Sequence, residues 1–306
     1  MIDRHSRVNM ALMIYLIDSS IFIFRAWFSV PDTMTDSNNN PVNAVYGYAR
    51  FLSDFLESVQ PDSVAAAFDQ SLASCFRSEI YPPYKANRDP APDELKRQFA
   101  QCRAVTRSLG IMGYASESFE ADDLIGTMSN RARDDGRCVT ILSRDKDLLQ
   151  LLEVGDSLWD FIGDRRIEHD DVPDVFGVRA DQIVDFLALA GDSVDNIPGA
   201  PGVGAKTASK LLQHFDSIDE LYGNLDSVPN VNIRGAKTLG PKLAEHREQV
   251  HMCRELTRIR RDVPLPEHDS ILERRPPDLE QLNSLYNDIG FGESLRRQAQ
   301  RISDSF

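Results

Sequence analysis

Short apolar segments that end at acidic residues constrain the fold of this chain more than any other feature of its sequence. The runs at 13–17 and 63–68 are followed directly by Asp18 and Asp69, and a third run occupies 138–142. Continuous apolar runs of this length are typical of strands buried on both faces of a sheet. Because helical patterns separate the runs, the sequence predicts an α/β fold with a mainly parallel sheet.

The segments between these runs carry helical spacing of apolar residues. This spacing predicts helices over 43–58 and 95–109, with a weak strand around 113–115. A further helix is expected to begin near Glu120, with Ser118 as its cap. Strands and helices therefore alternate through the first half of the chain.

The chain divides into regions of different pattern. Beyond about residue 178 the strand signals fade, and helices separated by Gly and Pro turns take over. We therefore predict an α/β domain over 13–178 and a helical domain over 179–306. Residues 1–12 are polar and patternless, which predicts a disordered tail, or a natural start at Met13.

The charge of the chain does not decide its class of partner. A formal net charge of −14 argues at first against a nucleic-acid partner. However, residues 71–103 hold six Lys and Arg against four Asp and Glu, and residues 196–262 hold ten against eight. The excess acid therefore lies elsewhere, in motifs and on solvated surface.

Composition also bears on compartment and redox state. The sequence has no run of about 18 apolar residues and no secretory signal, so we expect a cytoplasmic protein with no membrane association. The four cysteines lack CxxC spacing, which argues against a zinc site or disulfides.

Acidic residues at strand ends and helix starts form a candidate metal site. The carboxyl ends of parallel strands share one edge of a sheet, so acids from distant segments converge there. Clustered carboxylates repel one another, and hard divalent cations remove that cost. Because 48 of the 306 residues are Asp or Glu, any single acid is more often a helix cap or solvated turn; their joint placement favours the metal site. The candidates are Asp18, Asp69, Glu120, Asp122, Asp123, Asp145, Asp147, Asp192 and Asp195.

A second candidate feature is a segment that interleaves cations with aromatic rings. It contains Phe76-Arg77, Tyr81, Tyr84-Lys85 and Arg88. Such mixtures hold single-stranded nucleic acid, and a cation near a scissile phosphate stabilises charge in the transition state. On composition alone, a Pro-rich surface loop with incidental charge explains the segment equally well.

The glycine-rich stretch at 196–212 is a candidate phosphate contact. A P-loop is disfavoured, because Ala205 separates the last glycine from the lysine and no strand precedes the turn. Gly202-Val203-Gly204 before an amphipathic helix suits a hairpin that presents backbone amides to a phosphate. Lys206 and Lys210 lie one turn apart and would meet the same strand. A tight helix–helix connection is the alternative.

Taken in order, these motifs resemble the 5′ nuclease family, which includes flap endonucleases, phage 5′ exonucleases and the N-terminal domain of bacterial DNA polymerase I. The resemblance runs from about residue 13 to 297. It is carried by Leu-Ile-Asp (16–18), Ala-Phe-Asp (67–69), Tyr-Lys-Ala-Asn-Arg (84–88), Glu-Ala-Asp-Asp (120–123), Ser-Arg-Asp-Lys-Asp-Leu (143–148), Gly-Asp-Ser-Val-Asp-Asn-Ile-Pro-Gly (191–199), Gly-Val-Gly-Ala-Lys-Thr-Ala (202–208) and Ile-Gly-Phe-Gly (289–292).

The resemblance implies a structure-specific 5′ nuclease that acts on 5′-ended, branched or 5′-flap DNA as a monomer. It implies a PIN-like domain with a helical arch at about 71–103, followed by a helix–three-turn–helix motif. Two Mg²⁺ ions are expected, with Mn²⁺ as a substitute. The first ion is assigned to Asp18, Asp69, Glu120, Asp122 and Asp123, and the second to Asp145, Asp147, Asp192 and Asp195.

The resemblance also assigns roles toward the substrate. Lys85 and Arg88 are the expected catalytic cations of the arch, and Tyr84 is the candidate for base stacking. Arg25 and Arg77 are expected to approach DNA. The turn, whose carbonyls are a candidate K⁺ site, would hold the duplex backbone through Gly202, Gly204, Lys206, Thr207 and Lys210.

Two other functions remain open at this point. One is a non-catalytic DNA-junction-binding protein, which the complete acidic set disfavours. The other is a PIN-like ribonuclease, which the duplex-binding turn disfavours. Residues 233–239 resemble those of stand-alone members, which favours a stand-alone nuclease over a piece of a longer protein.

Overall fold

The computed structural model describes residues 13–70, 75–265 and 272–306. The predicted tail over 1–12 lies outside the described residues, as does the start of the predicted arch, 71–74. Within the described chain, no helix is long and apolar enough to cross a membrane.

The described strands form one six-stranded sheet. In chain order they are β1 (Met13–Asp18), β2 (Val64–Asp69), β3 (Met112–Ser116), β4 (Cys138–Leu142), β5 (Ser157–Asp160) and β6 (Arg165–Glu168). Their order across the sheet is β3-β2-β1-β4-β5-β6. All neighbouring pairs are parallel except the last, in which β6 runs antiparallel to β5. β1 therefore lies between β2 and β4.

Helices cover both faces of this sheet. Those of the first half are α1 (Ser19–Ser29), α2 (Asn43–Val59), α3 (Phe76–Ile80), α4 (Asp93–Ser108) and α5 (Ala121–Asp134). Alternate side chains of β1 enter different core clusters: Ile14 and Leu16 pack with α5, whereas Tyr15 and Ile17 pack with α1, α2 and α4. The burial of both faces explains why this strand is apolar without alternation.

The second half of the chain is helical. Its helices are α6 (Val172–Phe176), α7 (Ile183–Ala190), α8 (Ala205–Phe215), α9 (Ile218–Gly223), α10 (Ala236–Glu245), α11 (Arg247–Thr257), α12 (Leu279–Ile289) and α13 (Glu293–Asp304). Helices α7 to α11 continue the core on the α5 side of the sheet. The last two return to the other side, where α12 contacts α4 and α13 contacts α2.

The α/β fold predicted from the sequence is confirmed, with small differences at element ends. The helix predicted over 43–58 ends at Val59, and the helix predicted over 95–109 is α4, which begins two residues earlier. The predicted cap Ser118 is wrong, because Glu120 is the residue that precedes the first turn of α5. Strand β6 was not predicted, because its Arg-Arg-Ile-Glu side chains are largely exposed and form no apolar run.

A close backbone crossing fixes how the second half meets the first. Gly126, in the middle of α5, lies against the segment that follows α11. A Cβ atom built on Gly126 would stand 2.6 Å from the carbonyl oxygen of Arg260 and 2.9 Å from the side chain of Ile259. The absence of a side chain at this position therefore permits the contact.

We predict that Gly126→Ala destabilises the protein by about 1–3 kcal/mol, because the added methyl group forces this crossing apart. In an unobstructed helix the same change would stabilise by up to about 1 kcal/mol. Gly223→Ala is the matched control, since a Cβ at Gly223 meets nothing within 4 Å. Urea unfolding of both variants measures the difference, and equal stabilities would contradict the prediction.

Candidate active site

The carboxyl edge of the sheet gathers acidic side chains from separate segments. β1 ends at Asp18 and the adjacent β2 ends at Asp69, while β4 lies on the other side of β1. Asp69 Oδ1 accepts a hydrogen bond from the backbone N–H of Ala121, at 2.9 Å. This bond brings the start of α5, with Asp122, to the same edge.

Asp18 is only 5% exposed and has other carboxylates as neighbours. Burial and the neighbouring charges of Asp69 and Asp145 raise the pKa of Asp18 to about 7, although Ser143 donates a hydrogen bond to it. The pKa of Asp122 is also raised well above its usual value, by burial and then by Asp145 and Asp18. Acids from β1, β2, α5 and the segment after β4 therefore share one crevice.

A second group of acids extends this crevice toward the helical half. Burial and the charges of Asp145, Asp192 and Asp195 raise the pKa of Asp147 to about 8. Asp192 and Asp195 belong to the turn between α7 and α8. The acids of both halves therefore interact electrostatically.

The donor chemistry of this crevice fits hard divalent cations. Within residues 13–70, 75–265 and 272–306, no group of three or more His, Cys, Asp or Glu side chains already stands at ligand spacing. Burial, and then the charge of neighbouring carboxylates, nevertheless raises the pKa values of Asp18, Asp122 and Asp147, so the ionised acids repel one another. Divalent ions with oxygen preference, such as Mg²⁺, would relieve that repulsion and draw the oxygens together.

Glu120 differs from these acids because it is surrounded by donors. Lys85 Nζ lies 2.6 Å from one of its oxygens, and the Tyr84 hydroxyl donates to the other at 3.0 Å. Arg77 adds a third contact at 3.1 Å. Although burial alone would raise it, Lys85 and Arg77 hold the pKa of Glu120 below its usual value. Glu120 is therefore already balanced by positive charge.

Residues 83–88, which carry the expected catalytic cations, are bonded to the turn at 192–196. Arg88 and Lys85 both pair with Asp195, the latter at 3.5 Å. The Lys85 backbone N–H donates to the Asp195 carbonyl, and the Asn196 amide donates to the Pro83 carbonyl. Lys85 has a φ of 53°, a left-handed conformation that non-glycine residues seldom adopt. These contacts hold both cations over the acidic crevice in turns between α3 and α4.

Arg77, which the sequence predicted to approach DNA, is an interior residue in this structure. It is 2% exposed and forms a bidentate pair with Asp123 at 2.7 and 2.8 Å. Asp123 is fully buried, and its oxygens also accept from the backbone N–H groups of Glu120 and Arg260. Asp123, which the sequence predicted as a metal ligand, thus pairs with Arg77 in this structure, and Asp122 is the acid of this pair that faces the crevice.

Tyr84, the residue predicted to stack on a base, is largely buried in this structure. Its side chain is 5% exposed, and its hydroxyl donates to Glu120 and Asp195 at 3.0 and 3.3 Å. Tyr84 therefore links acids of the two halves, and its role in base stacking stays a prediction.

The glycine-rich turn between α7 and α8 presents its predicted contacts at the surface. The turn closes tightly: a Cβ on Gly199 (φ 66°) would stand 2.5 Å from the Gly191 nitrogen. Gly202 and Gly204 are exposed. In the first turns of α8 that follow, Lys206 and Lys210 are exposed and Thr207 is half-buried.

Arg25 occupies a partly exposed position near the same edge of the sheet. Its guanidinium lies 3.3 Å from Asp160, which also pairs with Arg144 at 3.1 Å. Arg25 is thus held by an acid at the end of β5 and remains accessible.

Sequence reasoning missed the hydroxyl groups that orient the acids. Ser143, 1% exposed, donates to Asp18 at 2.7 Å and accepts from the Asp145 backbone N–H at 3.0 Å. Ser20 accepts from the Asp69 backbone N–H at 3.0 Å. Small hydroxyl residues beside strand-end acids were the available signal.

Two protein-family models cover the chain in succession. The model described as 5′–3′ exonuclease, N-terminal resolvase-like domain, matches residues 13–177. The model described as 5′–3′ exonuclease, C-terminal SAM fold, matches residues 178–280. The resemblance seen in the sequence motifs is confirmed.

Curated relatives support the same relationship. DNA polymerase I of Pseudomonas aeruginosa is 38% identical over 294 residues, which cover 95% of this chain and 32% of that protein. DNA polymerase I of Bacillus subtilis is 37% identical over 298 residues, with coverage of 95% and 32%. The chain thus spans about a third of the length of these relatives.

Solved structures share the fold at low sequence identity. A zinc-bound 5′-exonuclease of bacteriophage T5 matches with a TM-score of 0.65 and 19% identity, covering 95% of this chain and 98% of that one. A bacteriophage T5 flap endonuclease variant with DNA and metal ions gives 0.63 and 19%, covering 95% and 99%. The catalytic core of Rad2 with DNA substrate gives 0.59 and 16%, covering 97% and 94%.

We predict that Arg77→Met destabilises the protein by about 3–5 kcal/mol, because it leaves the buried Asp123 carboxylate without its counterion. The double variant Arg77→Met/Asp123→Leu should recover much of that loss, since no buried charge remains unpaired. Urea unfolding of the two variants and the wild type measures the cost. A fully stable Arg77→Met protein would contradict the structural role.

We predict that Ser143→Ala weakens divalent-ion binding roughly ten-fold, because loss of a group that orients ligands typically costs 10–100-fold in metal affinity. Ser143→Thr keeps the hydroxyl and is the matched control. Calorimetric titration with Mn²⁺ measures both, and equal affinity for Ser143→Ala and wild type would show that the hydroxyl does not orient the acids.

Proposed function

This chain belongs to the 5′–3′ exonuclease family, and we propose that it hydrolyses DNA phosphodiester bonds at 5′ ends and at 5′-flap junctions. The observation that carries this proposal is the single crevice in which repelling carboxylates meet Lys85 and Arg88. A matching fold occurs in a flap endonuclease solved with DNA and metal ions. The products are a 5′-phosphate and a 3′-hydroxyl.

The proposed cofactor is a pair of Mg²⁺ ions, for which Mn²⁺ substitutes. Asp18, Asp69 and Asp122, together with Glu120, would hold one ion. Asp145, Asp147, Asp192 and Asp195 would hold the other. Bound ions would neutralise phosphate charge and lower the pKa of an attacking water. Hydrogen bonds from Ser143 to Asp18 and from the Asp147 backbone N–H to Asp145 orient two of these acids, which would in turn position the ions.

Lys85 and Arg88 have a separate role in the proposed reaction. Without substrate they balance Glu120 and Asp195. A scissile phosphate entering the crevice offers a competing anion beside them. They then stabilise the negative charge that develops on the phosphate in the transition state. Because the 83–88 segment is bonded to the 192–196 turn, Lys85 and Arg88 need to move only a short way to reach the phosphate.

The proposed duplex contact is the turn between α7 and α8. Exposed Gly202 and Gly204 leave the amino end of α8 open to a phosphate, which the helix dipole favours. Lys206, Thr207 and Lys210 would meet the backbone of the same strand, and turn carbonyls would hold K⁺. Arg25 contacts DNA nearer the acids. We propose a cytoplasmic monomer, with a role in DNA replication and repair.

The alternatives are a DNA-junction-binding protein without activity and a PIN-like ribonuclease. The complete set of crevice acids supports hydrolysis over binding alone. The duplex-binding turn supports DNA over RNA, and competition between DNA and RNA flaps separates these substrates.

The decisive experiment is cleavage of a 5′-flap duplex labelled at either end, with Mg²⁺ and with EDTA. We expect cutting at the junction with Mg²⁺ and none with EDTA. Tight binding without cutting in Mg²⁺ or Mn²⁺ would replace the nuclease proposal with the junction-binding one.

We predict that Lys85→Ala lowers kcat about 10²–10³-fold, the usual cost of removing a group that stabilises transition-state charge. Asp145→Asn should lower it at least as far, because an amide is a poorer ligand for a divalent cation than a carboxylate. Lys242→Ala, at an exposed lysine of α10, is the control. Unchanged turnover in either crevice variant would refute the assigned roles.

A further inference from the structure

A second charged crevice lies away from the acids, where the chain returns from α11 to the sheet. It has a volume of about 420 Å³ and is bounded by the start of α7 and by residues 258–262. Arg258, Arg260 and Arg261 line it. In a chain of net charge −14, this grouping of guanidinium groups sets the crevice apart.

The acidic partners of these arginines hold them loosely. Arg258 stands 3.9 Å from Glu255, and Arg260 stands 3.5 Å from Asp262. The acidic side chains are each more than half exposed, so these pairs contribute little and are readily exchanged.

The remaining charges of the crevice leave it positive. Asp181 also lines it, but both its oxygens already accept from Arg179, at 3.0 Å each. Arg261 is 3.8 Å from the half-exposed Glu153. Burial lowers the pKa of Arg261, and the charge of Arg133 lowers it further. An anion in the crevice would relieve this repulsion.

The backbone beneath these side chains is fixed by hydrogen bonds. Gln150 accepts from the Ile259 N–H at 3.0 Å, and Asp123 accepts from the Arg260 N–H at 2.8 Å. Arg77 donates to the Arg258 carbonyl at 2.9 Å. The arginines therefore project from a rigid support, which lowers the entropy cost of binding a ligand.

The same support connects the crevice to the candidate active site. Arg77 contacts the Arg258 carbonyl with one nitrogen and the Glu120 carboxylate with another. Arg260 lies 5.7 Å from the ring of Phe76, at the base of the segment that carries Lys85. The backbone that carries these arginines is therefore bonded to the same buried side chain that contacts Glu120.

We propose that Arg258, Arg260 and Arg261 bind successive phosphates of the DNA substrate, beyond the strand held at the acids. Planar guanidinium groups recognise phosphate oxygens in bidentate geometry, and several in one tract match a repeating anion better than a single one. The inference rests on the proposed function, because it takes the nuclease's DNA as the ligand. It adds a phosphate-binding surface outside the glycine-rich turn.

The test is the salt dependence of DNA binding, measured by fluorescence anisotropy of a labelled 5′-flap duplex in EDTA. The triple variant Arg258→Gln/Arg260→Gln/Arg261→Gln is compared with wild type across NaCl concentrations. Each lost phosphate contact should reduce the slope of log affinity against log salt by about 0.7–0.9. We expect a reduction of roughly two in slope, and affinity at least about ten-fold weaker at low salt.

The control variant changes net charge equally at another surface. Arg50→Gln/Arg297→Gln/Arg301→Gln alters exposed arginines on α2 and α13. It should retain the wild-type slope. An equal reduction of slope in both triple variants would show that only net charge matters and would overturn the proposal. A wild-type slope in the crevice variant would also overturn it. The same titration with an RNA flap is the last check, and a reduction seen with RNA but not with DNA would overturn the proposal as well.

Two further measurements keep the proposal separate from folding and from catalysis. If the triple variant fails to fold by circular dichroism, Arg258→Gln and Arg260→Gln are tested singly, each with an expected slope change of about 0.7–0.9. With Mg²⁺, the folded variants should show raised KM and unchanged kcat. Because binding is measured without cleavage, failure of wild type to cut would refute the nuclease function while leaving the slope result intact.

Discussion

Mutual repulsion of carboxylates at one edge of the sheet is the constraint on which the rest of the structure depends. The acids at this edge fall into two groups. Glu120 and Asp195 receive cations from the 84–88 segment, and their charge is balanced within the chain. Asp18, Asp122 and Asp147 have no ion pair among the described residues, and their pKa values are raised. In this structure the acids of the crevice therefore differ in whether a cation of the chain itself stands beside them.

Much of the fold and the location of the site followed from sequence because both rest on local patterns. Buried parallel strands must be continuously apolar, and the residue after each one emerges at the common edge. Asp18 and Asp69 could be placed by that rule alone. The rule does not predict in which direction around a helix each side chain points. Asp122 and Asp123 are neighbours in sequence but differ by about 100° around α5, so one faces the crevice and the other the interior.

The interleaved cations and aromatics were harder to interpret, because their environment is set by distant residues. Arg77 is buried against Asp123 and against carbonyl groups far along the chain, whereas Arg88 stays at the surface. The sequence around Tyr84 is typical of a surface aromatic residue, and only the structure shows that its hydroxyl donates hydrogen bonds to Glu120 and Asp195. Composition identified the segment, but only tertiary contacts separate its structural members from those free to meet a substrate.

The long reach of Arg77 has a consequence for the order in which the protein is made. Its guanidinium donates to the carbonyls of Leu256 and Arg258, which are 179 and 181 positions later in the chain. Synthesis proceeds from the amino terminus, so every crevice acid has left the ribosome before those carbonyls exist. Until they arrive, Arg77 can pair with Asp123 and Glu120 but lacks the two carbonyl acceptors that tie it to the later part of the chain. In a nascent chain these two contacts of Arg77 therefore form only after residues 256 and 258 have been added.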